Sequence, residues 1–224
     1  TVENSTDRNV EALGAPRAGM ALLCTGYEPF GDHETNPSER VARELDGATV
    51  AGHEVVGAVL PVEFDRVADA LAALIEEHDP AAVVATGLAG GRTAVSVERV
   101  GVNVDDAVTV PDNADDSPHD ERIDPAGADA HLATIPVVES VEALLDEGIP
   151  ARVSNSAGTH CCNHALYSLI ENHDVPAGFV HLPFTPEGAV ADAEAPERGG
   201  SVAASLPLAM QAEAVRRVFE TAVA

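Results

Sequence analysis

The sequence predicts an α/β protein: one domain, built as a three-layer α/β/α sandwich around a mostly parallel, twisted sheet. Two observations carry that expectation. Short apolar runs rich in Val and Ala alternate along the chain with longer stretches whose apolar residues recur at helical spacing, the pattern of a sheet covered by helices on both faces. No internal repeat divides the 224 residues, a length of one ordinary domain that can bury a sizeable core.

Taken in order, residues 1–19 are polar, punctuated by Pro and Gly and free of periodicity, and read as a flexible N-terminal extension to a domain at 20–224. Residues 20–25 form an apolar run ending at Gly26, a buried strand. Tyr27-Glu28-Pro29-Phe30-Gly31-Asp32 follows as a loop, and Asn36-Pro37-Ser38 opens a helix through Leu45 that stops near Gly47. The β-branched stretch 50–62 reads as a second strand. Residues 64–78 read as an amphipathic helix, with Phe64, Val67, Ala68, Leu71, Leu74 and Ile75 on one face.

Residues 81–86 are a wholly apolar strand leading into Gly87-Leu88-Ala89-Gly90-Gly91-Arg92. The alternation over 95–104 is read as one further strand. A long loop rich in Asp, Pro and Gly is expected from 105 to about 134, a length usually tied to function or disorder. A helix over 137–148, a short strand over 149–153, a helix over 165–171 and an apolar strand over 177–184 come next. An acidic loop is expected at 187–200, and a helix over 206–223 closes the chain.

Charge excludes several classes of function. There are 38 acidic and 12 basic residues, a formal net charge of -26, and every basic residue is Arg. So acidic a chain repels nucleic acid and anionic membrane, and neither is expected as a partner. With 45% apolar residues the acidity does not signal disorder. It fits a surface adapted to molar salt, where repulsion is screened within about 3 Å, and so a halophilic source. Three Cys, two of them adjacent, make no disulfide framework. Nothing resembles a signal peptide, and no apolar run approaches about 18 residues, so the cytoplasm is the expected compartment.

The chemistry centres on Ser154-Asn155-Ser156-Ala157-Gly158-Thr159-His160-Cys161-Cys162-Asn163-His164, which leaves a strand and enters a helix. A thiol at a helix N-terminus meets free N–H groups and a dipole that favour thiolate over thiol. A buried structural Cys pair is the plain alternative. A metal site from His160, Cys161, Cys162 and His164 is a further one, though adjacent Cys in extended chain face opposite ways and there is no CxxC. For a Cys–His–carboxylate arrangement, His160, His164, His173 and His181 are all candidate bases, His181 alone lying in an apolar strand. Glu98 has a parity different from Val95 and Val97, which leaves it either in such a site or outward and solvated against Arg92 or Arg99. The Gly87–Gly91 stretch is not GxGxxG and precedes a strand, and there is no GxSxG elbow, so dinucleotide binding and an α/β-hydrolase are set aside.

Four ordered motifs are similar to the pyrrolidone carboxyl peptidases (pyroglutamyl-peptidase I). They are Thr25-Gly26-Tyr27-Glu28-Pro29-Phe30-Gly31 with Asn36-Pro37-Ser38; Gly87-Leu88-Ala89-Gly90-Gly91-Arg92 through Val95-Ser96-Val97-Glu98-Arg99-Val100, Asn103 and Asp105-Asp106; Val153-Ser154-Asn155-Ser156-Ala157-Gly158 with Cys162-Asn163; and Gly178-Phe179-Val180-His181-Leu182-Pro183. The resemblance covers residues 20 to the C-terminus. It implies a cysteine peptidase that removes N-terminal pyroglutamate from peptides, needs no cofactor or metal, and forms a homo-oligomer, commonly a tetramer. It implies that Cys162 is the nucleophile, His181 the base and Glu98 its orienting acid. Tyr27, Phe30, Leu88, His160 and Cys161 would line the substrate slot, Leu88 falling where some members carry Gln.

The chain departs from the family in places. His160 stands where an aromatic residue is usual and Gly101 where Ala is usual. Residues 105–113 carry one extra residue and lack an Arg common before Pro-Asp-Asn, and the loop 170–176 is shorter. A related amidase acting on another cyclic or acylated substrate, or a non-catalytic relative, are the competing readings.

Overall fold

The computed structural model describes residues 20–193 and 201–224. The N-terminal extension expected at 1–19 and the end of the acidic stretch, 194–200, lie outside the described residues.

The first strand, β1 (Leu22–Tyr27), is buried along its whole length. Helix α1 (Pro37–Leu45) starts where Asn36 accepts the N–H and hydroxyl of Ser38 at 3.0 and 2.7 Å, with Pro37 filling the first turn. Such a cap contributes about 1 kcal/mol. Two glycines let this helix sit on the sheet. A Cβ on Gly26 would stand 2.1 Å from the carbonyl oxygen of Ser38, and one on Gly57 2.1 Å from that of Ala42. The stretch read as one strand over 50–62 is a hairpin, β2 (Thr49–Val50) and β3 (His53–Leu60), because Ala51 and Gly52 turn through positive φ. Helix α2 (Phe64–His78) has the bounds read from its periodicity.

After β4 (Ala82–Leu88) the alternating run at 95–104 divides at Arg99 into β5 (Val95–Glu98) and β6 (Val100–Val102), which belong to different sheets. The long loop is not wholly irregular: β7 (Ala130–Leu132) pairs antiparallel with β6, and Asp105 bridges to Glu121. Helix α3 (Val137–Asp146) and strand β8 (Ala151–Ser154) lead to α4 (Cys161–Asn172), which begins four residues before the expected 165. Strand β9 (Ala177–Leu182) is followed by α5 (Pro186–Ala191), a short helix capped by Thr185 in a region expected to be loop, and α6 (Leu208–Ala222) closes the chain.

The main sheet has seven strands in the order β2-β3-β1-β4-β9-β5-β8. Strands β3, β1, β4 and β9 run parallel, β5 runs against β9, and β8 runs with β5. One face, including Leu22, Cys24, Val84, Val95, Val97 and Val180, is covered by α1, α3 and α6. The other, with Leu23, Val83, Ala85, Ala177 and Phe179, is covered by α2 and α4. The expected α/β/α layering is therefore present. Among the described residues no helix is long and apolar enough to cross a membrane.

Candidate active site

Strand register assembles the site on the α2/α4 face. Because β5 runs against β9, Ser96 faces His181 and Glu98 faces Phe179, so Glu98 and His181 are diagonal neighbours on one face. Nδ1 of His181 lies 2.8 Å from Oε1 of Glu98. Glu98 is fully buried and His181 is 4% exposed. The parity of Glu98 does turn it away from Val95 and Val97, but that second face carries its own helices, so it does not meet solvent. Arg92, from the turn after β4, contacts the same Oε1 and donates through Nη2 to the carbonyl of Ser156 at 2.8 Å.

Cys162 sits in the first turn of α4, after an extended His160. The first N–H groups of such a turn have no acceptor within the helix. The thiol rests against Gly87 on β4, opposite His181 on β9: a Cβ at Gly87 would lie 2.8 Å from Sγ and 2.9 Å from the Phe179 ring. Asn163 anchors the turn, giving its amide to the carbonyls of Val102 and Val104 at 2.8 and 3.0 Å and accepting the Val102 N–H at 2.9 Å.

Burial and neighbouring charge act against the helix-stabilised thiolate expected at this position. Burial, then the negative charge of Glu98, push the Cys162 thiol up to about 12, against a smaller opposing effect of Arg92. Here desolvation outweighs the helix end. Burial lowers His181 despite its bond to Glu98. Burial alone would raise the Glu98 carboxyl, but the hydrogen bond and charge of His181, with Ser154 and Arg92, hold it below its ordinary value. These directions favour a thiol, a neutral imidazole and a carboxylate in the empty site. An ionised Glu98 can only accept, so Nδ1 of His181 carries the proton and Nε2 is left as the basic nitrogen.

The five residues expected to line a substrate slot lie around one small cavity. Tyr27, Phe30, Leu88, His160 and Cys161 surround a cavity of about 20 Å³ with Asn36, Val62 and Cys162, room for about one water molecule. The Tyr27 hydroxyl donates to the Cys161 carbonyl at 2.9 Å, and the Tyr27 N–H donates to the Ser38 hydroxyl at 3.0 Å. His160 lies between Phe30 and Phe64, with ring centroids 6.2 and 5.0 Å away. Its Nε2 bonds the carbonyl of Val110 at 3.1 Å. A cleft of about 270 Å³ opens beside the slot, lined by Cys162 and His181 together with Asp106, Thr109, Val110 and Thr159. A larger cavity of about 560 Å³, lined by Asp32, His33, Glu34, Arg40, Glu187 and Asp192 among others, holds none of the Cys162, His181 and Glu98 set.

The other candidates are placed apart. His164 pairs with Asp105 at 2.7 Å, and His173 caps the far end of α4. With His160 held by Val110 and His164 by Asp105, the cluster around the two Cys does not converge, and among the described residues no group of three His, Cys, Asp or Glu could hold a metal ion. Three residues that shape the site went unassigned in the sequence. Gly87 makes room for the thiol, and Arg92, which the sequence offers only as a surface partner for Glu98, meets that carboxylate inside the site. Asp112 accepts the Phe64 N–H at 2.9 Å and so caps α2 from the long loop. The Pro111-Asp112-Asn113 triplet was the available signal for that last one, since Asp in such a turn commonly binds nearby N–H groups.

The site thus sets a helix-borne thiol beside a buried His–carboxylate pair on an α/β sandwich. The chain belongs to the pyroglutamyl peptidase family, whose model matches residues 20–224. It is 47% identical over 169 residues to a pyrrolidone-carboxylate peptidase of Chromobacterium violaceum, covering 75% of this chain and 80% of that one. It is 41% identical over 206 residues to one of Escherichia fergusonii, covering 90% of each. The solved pyrrolidone carboxyl peptidase of Thermococcus litoralis superposes with a TM-score of 0.85 at 35% identity, covering 91% of this chain and 93% of that one.

Proposed function

We propose that this enzyme removes N-terminal pyroglutamate from peptides by a thioester mechanism. The observation that carries the reading is the Glu98–His181 pair on β5 and β9, on the same face as the Cys162 thiol, with Nε2 left free by the Glu98 bond. On this reading Nε2 takes the thiol proton as sulfur attacks the carbonyl carbon between pyroglutamate and the next residue. With the thiol near 12 and the imidazole lowered, that transfer is uphill in the empty site. It therefore accompanies attack, as N–H groups at the start of α4 receive the developing oxyanion. The imidazolium then protonates the leaving amine, the C–N bond breaks, and water, deprotonated by Nε2, hydrolyses the thioester.

The lactam is small, flat and uncharged, which suits walls of Tyr27, Phe30, Leu88, His160 and Cys161. At about 20 Å³ the empty slot has to widen for it, and Phe30 and His160 are its half-buried walls while Tyr27, Leu88 and Cys161 are buried. The polar His160 wall gives the competing reading, an amidase for another cyclic acyl group, its support. Family resemblance supports a homotetramer, three free thiols a cytoplasmic setting, and the acidity a concentrated-salt medium.

The test is a fluorogenic pyroglutamyl amide assayed in molar KCl, beside other N-acyl amides. Turnover of the pyroglutamyl compound is expected, with Cys162→Ala at least about a thousandfold slower and Cys161→Ala active. A wild type that cleaves only the other amides would establish the competing reading.

A further inference from the structure

Arg92 stands outside the three residues given roles above, yet it touches two of the segments that hold them. Its turn is closed by its own N–H donating to the Ala89 carbonyl at 2.9 Å. One guanidinium nitrogen meets Oε1 of Glu98, the oxygen that also receives His181, and the other binds Ser156 on the loop leading into Cys162. The Arg92 side chain is 17% exposed and that of Glu98 is fully buried. Around the Glu98 carboxylate stand His181 from β9, Ser154 from β8, Cys162 from α4 and Arg92 from the β4–β5 turn.

On the reading of Cys162, His181 and Glu98 given above, we propose that Arg92 is a positioning residue: it orients Glu98 toward Nδ1, shares that carboxylate's charge with His181, and ties the pair to the loop that delivers the thiol. A fork of planar donors suits the task, since one nitrogen can hold the carboxylate while another holds a carbonyl. The charge matters as much as the geometry. A carboxylate facing His181 alone would hold the imidazolium more strongly and make thiol ionisation harder. The nearby cation opposes both effects, lowering His181 and Cys162 alike. A role of charge alone would be met by lysine, so positioning by the planar fork is read in the kcat that lysine fails to restore.

The experiment compares wild type, Arg92→Met and Arg92→Lys as full chains in molar KCl by two readouts. One is the pH profile of kcat/KM on a pyroglutamyl amide. The other is the pH profile of Cys162 alkylation by iodoacetamide, followed by mass spectrometry, which needs no turnover. For Arg92→Met the acid limb should move up by about half a pH unit or more, and plateau kcat/KM should fall about ten- to a hundredfold through kcat. Alkylation near pH 8 should slow several-fold, and Arg92→Lys should restore the acid limb while leaving kcat reduced. Unshifted limbs and alkylation in Arg92→Met would overturn the proposal. If that variant does not fold, Arg92→Lys decides: a wild-type limb with reduced kcat supports the assignment, and a displaced limb or an undiminished kcat overturns it. Arg92-dependent alkylation in a wild type that never cleaves the amide would sink the peptidase reading and leave this placement of Arg92 standing.

Discussion

Glu98 offers one oxygen to both His181 and Arg92, so the imidazole tautomer is set before any substrate arrives. Glu98→Gln removes the charge and can present either its oxygen or its NH₂ to the ring, leaving the tautomer unspecified. On the proposed mechanism kcat should fall about a hundredfold to ten-thousandfold in steady-state assays, and a fall under tenfold would remove Glu98 from this role. The pH dependence follows from the sign of the His181 shift. The base must be neutral, and burial lowers His181, so the neutral form persists as pH falls past the ordinary value of about 6.5. The acid limb of kcat/KM should therefore lie below that value, and a limb centred above about 7 would contradict it. At this scale the sequence was only partly legible. Four His and two adjacent thiols were left open by their own chemistry, and the family motifs singled out His181 and Cys162. The role of Arg92 is not legible in the sequence, because a short spacing to Glu98 says nothing of the turn that brings them together, nor of Ser156 lying 64 residues away.

At the scale of elements, strong periodicity was enough. Helix α2 has its expected bounds, and β1, β4 and β9 were visible as apolar runs because both faces of the sheet are covered. The run at 95–104 misled because alternation reports which face a residue takes, not which sheet it joins. At six residues, α5 is too short to show a helical period. The long loop turns out to be held at several points. Asp112 accepts the N–H groups of Phe64, Ala114 and Asp116, while Asn113 donates to Glu28 and Pro29. Since Val110 of the same loop holds His160, Asp112→Ala should do two things. It should lower stability to urea by about 1–2 kcal/mol through the lost cap, and it should raise KM more than it lowers kcat as the slot wall loosens. An unchanged urea midpoint would show that the loop does not depend on this residue.

For the molecule as a whole, 38 acidic residues against 12 Arg leave an excess of 26 negative charges (38 − 12). The described Arg side chains are largely engaged, Arg217 alone meeting Glu147, Glu213 and Glu220. Repulsion among the remaining carboxylates should weaken as salt shortens the screening length from about 10 Å at 0.1 M to about 3 Å at 1 M. Thermal midpoints should rise with KCl across that range, and a fall would exclude adaptation to concentrated salt.

The protonated resting thiol has a consequence for durability as well. Burial that holds Cys162 toward the thiol leaves less of the reactive anion at pH 7 than an ordinary Cys carries. Peroxide and other soft oxidants attack that anion, so on the proposed mechanism peroxide should inactivate the empty enzyme more slowly than it oxidises an ordinary exposed Cys. A nucleophile kept in this form should outlast idle time in aerated medium without a reductant standing by.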